Sequence, residues 1–378
     1  MRSISVIVPL YYGEKYIPGI IQQMEDCKKY LDEEDVLEVL FVNDAPDEPI
    51  RCEWQGTGIR LIIQNTDQNI GIHGARVKGF RECHGDYVLF LDQDDRIRPE
   101  YFYSQLMSMG NSDAVVCKAI HAGEEYYSND RIFENVITKK YVLKHWNQII
   151  SPGQVLIRKS SIPDIWIENI MKYNGADDWL LWLCMMAEEC TFSLNQDVLY
   201  EHISNGLNAS GDVVGMAQSE HEVLRIVQKR KIFQESDLQL LMEGFFLRNL
   251  VRVQEMRTLN VKLNIFDKWM GLREQGTRYS EYLSAAGIKC VAIYGCGIVG
   301  KHLLSELKPS IEVKYFIDRN AREVKADIPV YTWKDIWPEV DAVIITLMDG
   351  EKEVERGIEE KAGKRALLLK EWIMKTEL

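Results

Sequence analysis

The first hundred residues alternate between short apolar blocks and polar stretches with helical spacing. Ile4-Ser-Val-Ile-Val-Pro9, Leu37-Glu-Val-Leu-Phe-Val42, Ile59-Arg-Leu-Ile-Ile63 and Tyr87-Val-Leu-Phe-Leu91 are rich in branched and aromatic residues and predict strands. The unbroken run in the last predicts a strand buried on both faces, as in the middle of a parallel sheet. Ile17, Ile20, Ile21 and Met24 recur at helical spacing between the first two blocks, and the glycine-marked stretch Asn69–Gly79 leads into a helix ending near His84-Gly85. Strand–helix alternation of this kind predicts a mostly parallel sheet with right-handed crossovers. Asn43, Asp44, Asp92 and Asp94 stand just past strand ends. They line one sheet edge, where open α/β sheets bind ligands.

Further along, Ala114–Cys117 and Ser151–Arg158 predict strands around the polar stretch Gly123–Arg131. Asp177 and Asp178 open a strongly apolar helix, where acids in the first turn also suit the helix dipole. A boundary is expected at Gly211–Gly215. From about 216 to 284 the pattern is helical: Leu238, Leu241, Met242, Phe245, Phe246 and Leu250 form one apolar face, and Phe266, Trp269 and Met270 another. Core stripes with solvated basic faces are expected there, and peripheral contact with a membrane is the second reading. After Gly287 a strand, Gly295-Cys-Gly297-Ile-Val-Gly300, a helix and a second strand ending at Asp318 follow in order. In the dinucleotide fingerprint these glycines admit a diphosphate to a helix N-terminus and the acid meets a ribose. A glycine turn kept for tight packing fits the same residues. Ala342–Thr346 and Ala366–Leu369 supply more strands, so a small Rossmann-like domain with a nucleotide as candidate ligand is expected. The divisions expected are 1–212, a helical linker 213–286, and 287–378.

Asp92 and Asp94, two apart in extended chain, share a side. Such a pair suits a divalent cation that carries a diphosphate. Capping of the helix after Pro99 by Asp94 or Asp95 is the alternative. The net charge of −13 excludes a general nucleic-acid binder. The eight cysteines form no CxxC pair, and no apolar run approaches the roughly 20 residues of a membrane span. Met1–Pro9 runs directly into a strand without a signal-peptide pattern, so a cytoplasmic protein with reduced thiols is expected.

Four motifs in order, Ser-Val-Ile-Val-Pro-Leu-Tyr, Phe-Val-Asn-Asp, Asn-x-Gly-x-x-x-Ala-Arg-x-x-Gly and Phe-Leu-Asp-Gln-Asp-Asp, resemble the nucleotide-sugar half of family 2 glycosyltransferases, with the GT-A fold. The resemblance implies an inverting transferase that uses a nucleoside-diphosphate sugar, often a UDP-sugar, with Mn²⁺ or Mg²⁺. It places Pro9 and Tyr11 at the base and ribose, Asp44 at the uracil ring, Arg76 in support of the nucleotide, and Asp92 and Asp94 at the metal. His202, in the segment that closes the family's catalytic domain, is a further candidate metal ligand. The Ser204–Ser210 loop is expected to order over the donor. Asn174-Gly-Ala-Asp-Asp-Trp179 resembles the family's Glu-Asp motif, with Asp177 in place of the glutamate. That implies Asp178 as the base for the acceptor hydroxyl, with Asp177 beside it and Trp179 under a sugar. Asn43 departs from the family, where an acid is common.

The acceptor implied by family analogy is a growing surface polysaccharide or lipid-linked glycan. Homo-oligomerisation and membrane contact are left open by the sequence. Two rival readings stand beside this one: a non-catalytic nucleotide-sugar-binding scaffold, and an NAD(P)-binding oxidoreductase built on Gly295–Gly300.

Overall fold

The computed structural model describes residues 1–51, 58–127, 129–203, 212–321, 324–348, 351–363 and 365–377. It forms two compact units, Met1–Asn249 and Leu250–Leu378.

The first unit is built on a nine-stranded sheet. Its strands are β1 (Ser3–Leu10), β2 (Val36–Asn43), β3 (Ile59–Asn65), β4 (Tyr87–Phe90), β5 (Arg96–Ile97), β6 (Ala114–His121), β7 (Glu124–Glu125), β8 (Val155–Arg158) and β9 (Phe192–His202). The order is β3-β2-β1-β4-β8-β6-β9-β5, with β7 hairpinned onto β6. The first four strands in that order are parallel, as the alternating pattern predicts. β8 then runs antiparallel to both β4 and β6. The helices of this unit are α1 (Ile17–Lys28), α2 (Gly71–Glu82), α3 (Tyr101–Met109), α4 (Asp130–Asn135), α5 (Lys139–His145), α6 (Asp164–Glu168), α7 (Asp177–Ala187) and α8 (Val213–Arg230).

Apolar side chains of β1, β2 and β4 alternate between two cores. Ile7, Leu40, Val88 and Phe90 point into one, and Val6, Val8, Val39, Phe41 and Leu89 into the other. Both faces of the sheet are covered, which is why these strands read as continuous apolar runs. α8, which the sequence pattern assigned to the linker, sends Val223, Leu224 and Val227 into the first core. Its apolar stripe leaves it no stable existence away from that core. The polar stretch after β6 forms the β6–β7 hairpin, with α4 and α5 beyond it.

Helix α9 (Glu235–Glu274) carries the chain into the second unit, followed by α10 (Tyr279–Ala285), β10 (Cys290–Tyr294), α11 (Ile298–Leu307), β11 (Glu312–Ile317), β12 (Val330–Tyr331), β13 (Ala342–Ile345), α12 (Glu351–Ala362), β14 (Arg365–Leu368) and α13 (Leu369–Lys375). Its five strands are all parallel, in the order β12-β11-β10-β13-β14. Helices cover both faces: Leu303, Leu304 and Leu307 of α11 fill one core, and Val354 and Ile358 of α12 the other. The strand order reverses between β10 and β13, as at the switch point of a doubly wound sheet.

Candidate active site

Because β1, β2 and β4 run in register and parallel, their carboxyl ends lie side by side, with Leu10 opposite Asn43 and Ile7 opposite Phe90. The loops leaving them form the site. Tyr11 follows β1 and is 53% exposed. Its backbone N–H donates to Gln93 Oε1 at 3.0 Å, so the residue between Asp92 and Asp94 ties the β4 loop to the β1 loop. Gly13 makes room for that tie: a Cβ there would sit 2.1 Å from Gln93 Oε1. Pro9, by contrast, is buried within β1 opposite Val42 and presents no surface to a ligand.

Asp44 is buried at the start of α2. Its two oxygens accept from Ile70 N–H at 2.7 Å and Gly71 N–H at 2.8 Å. Burial pushes its carboxyl above the ordinary range, against the pull of those N–H groups. In this structure Asp44 anchors the turn into α2, where Gly71 has φ +76°. Asn43 explains its own departure from an acid: its Nδ2 donates to Glu48 O at 2.8 Å and Asn65 Oδ1 at 2.9 Å, which a carboxylate cannot do.

Arg76 lies buried between two acids. Nη1 donates to Asp177 Oδ2 at 2.7 Å and Nη2 to Asp92 Oδ1 at 2.5 Å. The family resemblance placed Arg76 with the nucleotide and Asp92 with the metal. In the structure the two are each other's partners. Asp92 Oδ2 also accepts from Ser151 Oγ at 3.1 Å. With both oxygens engaged, Asp92 braces the loop from below.

Asp94 is half-buried. Burial, then the charges of Asp95 and Asp92, push its carboxyl up to about 6. Asp95 is buried and does not cap α3. It accepts from Tyr200 Oη and from Ile203 N–H at 2.8 Å, and lies 3.1 Å from His202 Nδ1. Gly153 gives the Tyr200 ring space to reach it, since a Cβ there would meet that ring at 2.4 Å. The bond to Asp95 raises the His202 imidazole above its usual pKa. A carboxylate on one ring nitrogen is the usual way a metal-binding histidine is oriented. The segment containing Asn205 and the Ser204–Ser210 loop lies outside the described residues.

Asp178 stands in the first turn of α7. Oδ1 accepts from Trp179 N–H at 2.7 Å, part of the capping role that its position allows. Oδ2 accepts from Asn147 Nδ2 at 2.8 Å. Burial and the neighbouring Asp177 charge push its carboxyl up to about 7, with Arg76 pulling the other way. A carboxylate poised there suits proton abstraction at neutral pH. Ser219 Oγ of α8 accepts from Ala176 N–H at 3.0 Å and so holds the residue before this turn. Trp179 is corrected: it is 3% exposed, packed in the first core, and offers no platform for a sugar.

Residues 5–166 match the model for glycosyl transferase family 2. Over that stretch the first unit is similar to family 2 glycosyltransferases. Its parallel-rich mixed sheet fits the GT-A fold expected from the sequence. Among curated relatives, an undecaprenyl-phosphate 4-deoxy-4-formamido-L-arabinose transferase of Pseudomonas fluorescens is 30% identical over 106 residues, covering 26% of this chain and 30% of that protein. EpsH of Bacillus subtilis, which also bears a glycosyltransferase name, is 25% identical over 162 residues, covering 40% and 44%. The matched segment thus spans less than half of either relative. Among solved structures, Staphylococcus aureus TarS 1–349 in complex with UDP-GlcNAc aligns with a TM-score of 0.48 at 17% identity, over 65% of this chain and 71% of that one. A Pyrobaculum calidifontis mannosyltransferase in complex with GDP-Man and Mn²⁺ aligns with a TM-score of 0.43 at 16% identity, over 65% and 69%.

The site gained several residues that sequence spacing did not reveal. Asn147, Ser151, Tyr200 and Ser219 reach it from distant segments. Asp95 was visible as a third acid, but nothing local showed that it faces β9.

In the second unit Gly295 (φ +99°) and Gly300 are packing positions: a Cβ at Gly300 would lie 1.9 Å from Gly295 O. Gly297 faces open space. Asp318 turns back on the glycine turn, accepting from Cys296 N–H at 2.7 Å and Asn320 N–H at 2.9 Å. The acid expected at a ribose is thus committed to backbone.

Proposed function

We propose that the protein transfers a sugar from a nucleoside-diphosphate donor, a UDP-sugar, to a hydroxyl of a glycan or lipid-linked acceptor, with inversion at the anomeric carbon. The observation that carries this reading is the joining of Asp178 to the β4 loop. Arg76 bridges Asp177, next to Asp178, and Asp92, two residues before Asp94. A base of near-neutral pKa and a cluster of acids suited to a cation are thereby held in one frame.

Asp94 and His202 are the residues that would hold Mn²⁺ or Mg²⁺, together with donor oxygens. Their oxygen-and-imidazole donor set and the mutual repulsion of Asp92, Asp94 and Asp95 fit a divalent ion. Among the described residues no group of three His, Cys, Asp or Glu side chains is placed to hold a metal ion. When bound, the ion neutralises charge on the leaving diphosphate. Asp178 takes the proton of the acceptor hydroxyl as its oxygen attacks the anomeric carbon. The bond from that carbon to the diphosphate oxygen breaks on the opposite face, and UDP leaves. Asn147 and the Trp179 N–H keep the carboxylate of Asp178 aimed. Tyr11, exposed beside the β1 exit, is suited to the base or ribose.

Thermal shift tests the donor. UDP with Mn²⁺ raises the melting temperature, and more than GDP with Mn²⁺ does. Equal stabilisation by GDP overturns the base preference. A fluorescence titration with NADH addresses the second unit: saturable binding there would favour the oxidoreductase reading.

A further inference from the structure

Asn147 reaches Asp178 from the end of α5, and its geometry is unusual. Its Nδ2 donates to Asp178 Oδ2 at 2.8 Å, and its Oδ1 accepts from Ile149 N–H at 3.1 Å. Because the amide oxygen is engaged by an N–H, the amide nitrogen is the end that faces the carboxylate. The residue before it, Trp146, ends α5 with φ +54° and ψ −165°. That region is left almost entirely to glycine. A bulky residue stays there only where its surroundings hold it.

The hold comes from the first part of α9. Of the apolar face expected there, Leu241 is buried and Leu238 and Phe245 pack on the first core, whereas Met242, Phe246 and Leu250 are exposed. Polar and backbone contacts fix the helix against α5 as well. Asp237 pairs with Lys139 at 2.6 Å. A Cβ at Gly244 would lie 2.5 Å from Lys144 O and 2.7 Å from Leu143 O, so a glycine is what lets α9 come up against the end of α5. One turn further on, the Arg248 guanidinium lies over the Trp146 ring, 4.9 Å from its centroid. Its Nη2 pairs at 2.5 Å with Oε1 of Glu220, a buried carboxylate on α8 next to Ser219. The planar guanidinium can stack on the ring and keep this ion pair at once. The ion pair fixes the guanidinium, the guanidinium fixes the ring, and the ring holds the backbone that aims Asn147 at Asp178.

We propose that Arg248 is a positioning residue for Asp178, acting through Trp146 and Asn147. Its consequence for transfer rests on the reading of Asp178 as the base; the placement of the carboxylate does not. The Asn147 bond stabilises the charged carboxylate and so draws its pKa down, against burial and the Asp177 charge. Losing that bond raises it. Asp177 of α7 and Arg76 of α2, the charged groups that face Asp178, stay in every variant below.

A carbon-13 NMR titration of the full chain, labelled in its aspartate carboxyls, tests this. The resonance missing from Asp178→Asn is that of Asp178, and in wild type it titrates at about 7. Arg248→Met and Trp146→Ala each raise that midpoint toward its value in Asn147→Ala. Arg248→Lys, which can still place a cation over the ring, stays nearer wild type. Trp146→Ala keeps the Arg248–Glu220 pair, so it does not depend on how the arginine variant folds. Arg248→Met adds nothing to Asn147→Ala in the double variant, because both remove the same bond. A wild-type midpoint in Arg248→Met or Trp146→Ala overturns the proposal, and so does a double variant whose midpoint moves by the sum of the two single changes. Wild-type transfer by Asp178→Asn overturns the base reading, and with it the role of Arg248 in transfer, whatever the titration shows.

Discussion

Arg76 shows how one side chain can be indispensable without touching a substrate. It neutralises the partly exposed Asp92 and the buried Asp177 through hydrogen bonds of 2.5 and 2.7 Å. Removing one member of a buried ionic group leaves the others uncompensated. Arg76→Met is therefore expected to lower unfolding stability by about 3–5 kcal/mol in urea denaturation. Arg76→Lys keeps the charge but loses the planar fork that reaches both acids, and falls between. Asp178 gives a different signature. Asp178→Asn is expected to leave Mn²⁺-dependent UDP binding intact in calorimetry while transfer falls roughly 10²–10⁴-fold, the usual share of a positioned general base. Asp94→Asn weakens binding and transfer together. With the Asp178 carboxyl raised to about 7, transfer climbs with pH up to that value and then levels. Its effect on stability has the opposite slope. Between the ordinary carboxyl range and about 7 the folded chain holds a proton that the unfolded chain has released, so this group's contribution to stability declines as pH rises through that window. Melting curves at pH 5 and pH 8 should differ less in Asp178→Asn than in wild type.

Among elements, the strand ends and helix starts were legible because they obey period and punctuation. β1, β2, β3 and β4 announced themselves as apolar blocks, and α2 and α7 as polar turns before apolar helices. α4 and α5 were not legible: Asp130–Asn135 and Lys139–His145 are short, and their buried residues Phe133, Val142 and Leu143 are too few for a periodic signal. β9 was read only at its end, since Ser193, Asn195, Gln196 and Asp197 interrupt its apolar pattern. α8 was legible as a helix but not as a brace. Ser219 reaches Ala176 N–H across 43 residues of sequence, and no local pattern encodes such a contact. Ser219→Ala strands that buried N–H and should cost about 1–3 kcal/mol. Transfer should fall further than UDP binding, because the turn it holds carries Asp178.

For the whole molecule, the four ordered motifs made the family readable, while burial reassigned several of their members. Pro9 and Trp179 sit where the motif predicts in sequence, yet they face inward, and facing is a property of tertiary packing. The second unit was readable as strand, glycine turn and strand, but the commitment of Asp318 to Cys296 N–H was not. The extent of the first unit is testable by truncation. A chain ending at Asp212 loses Val223, Leu224 and Val227 from the first core and should be insoluble. A chain ending near Ser284 keeps them and is expected to stay folded and to hydrolyse donor. Loss of folding in the longer chain would mean that the second unit is required by the first.

The tie between Gln93 and Tyr11 constrains how such enzymes can be recombined. Gln93 lies between two acids and looks like a spacer, yet its side chain fixes the backbone after β1, and Gly13 is shaped to admit it. A chimera that imports the β1 loop of a relative to change donor preference therefore has to import its partner from the β4 loop as well. Segments more than 80 residues apart in the chain are one cassette for the protein engineer.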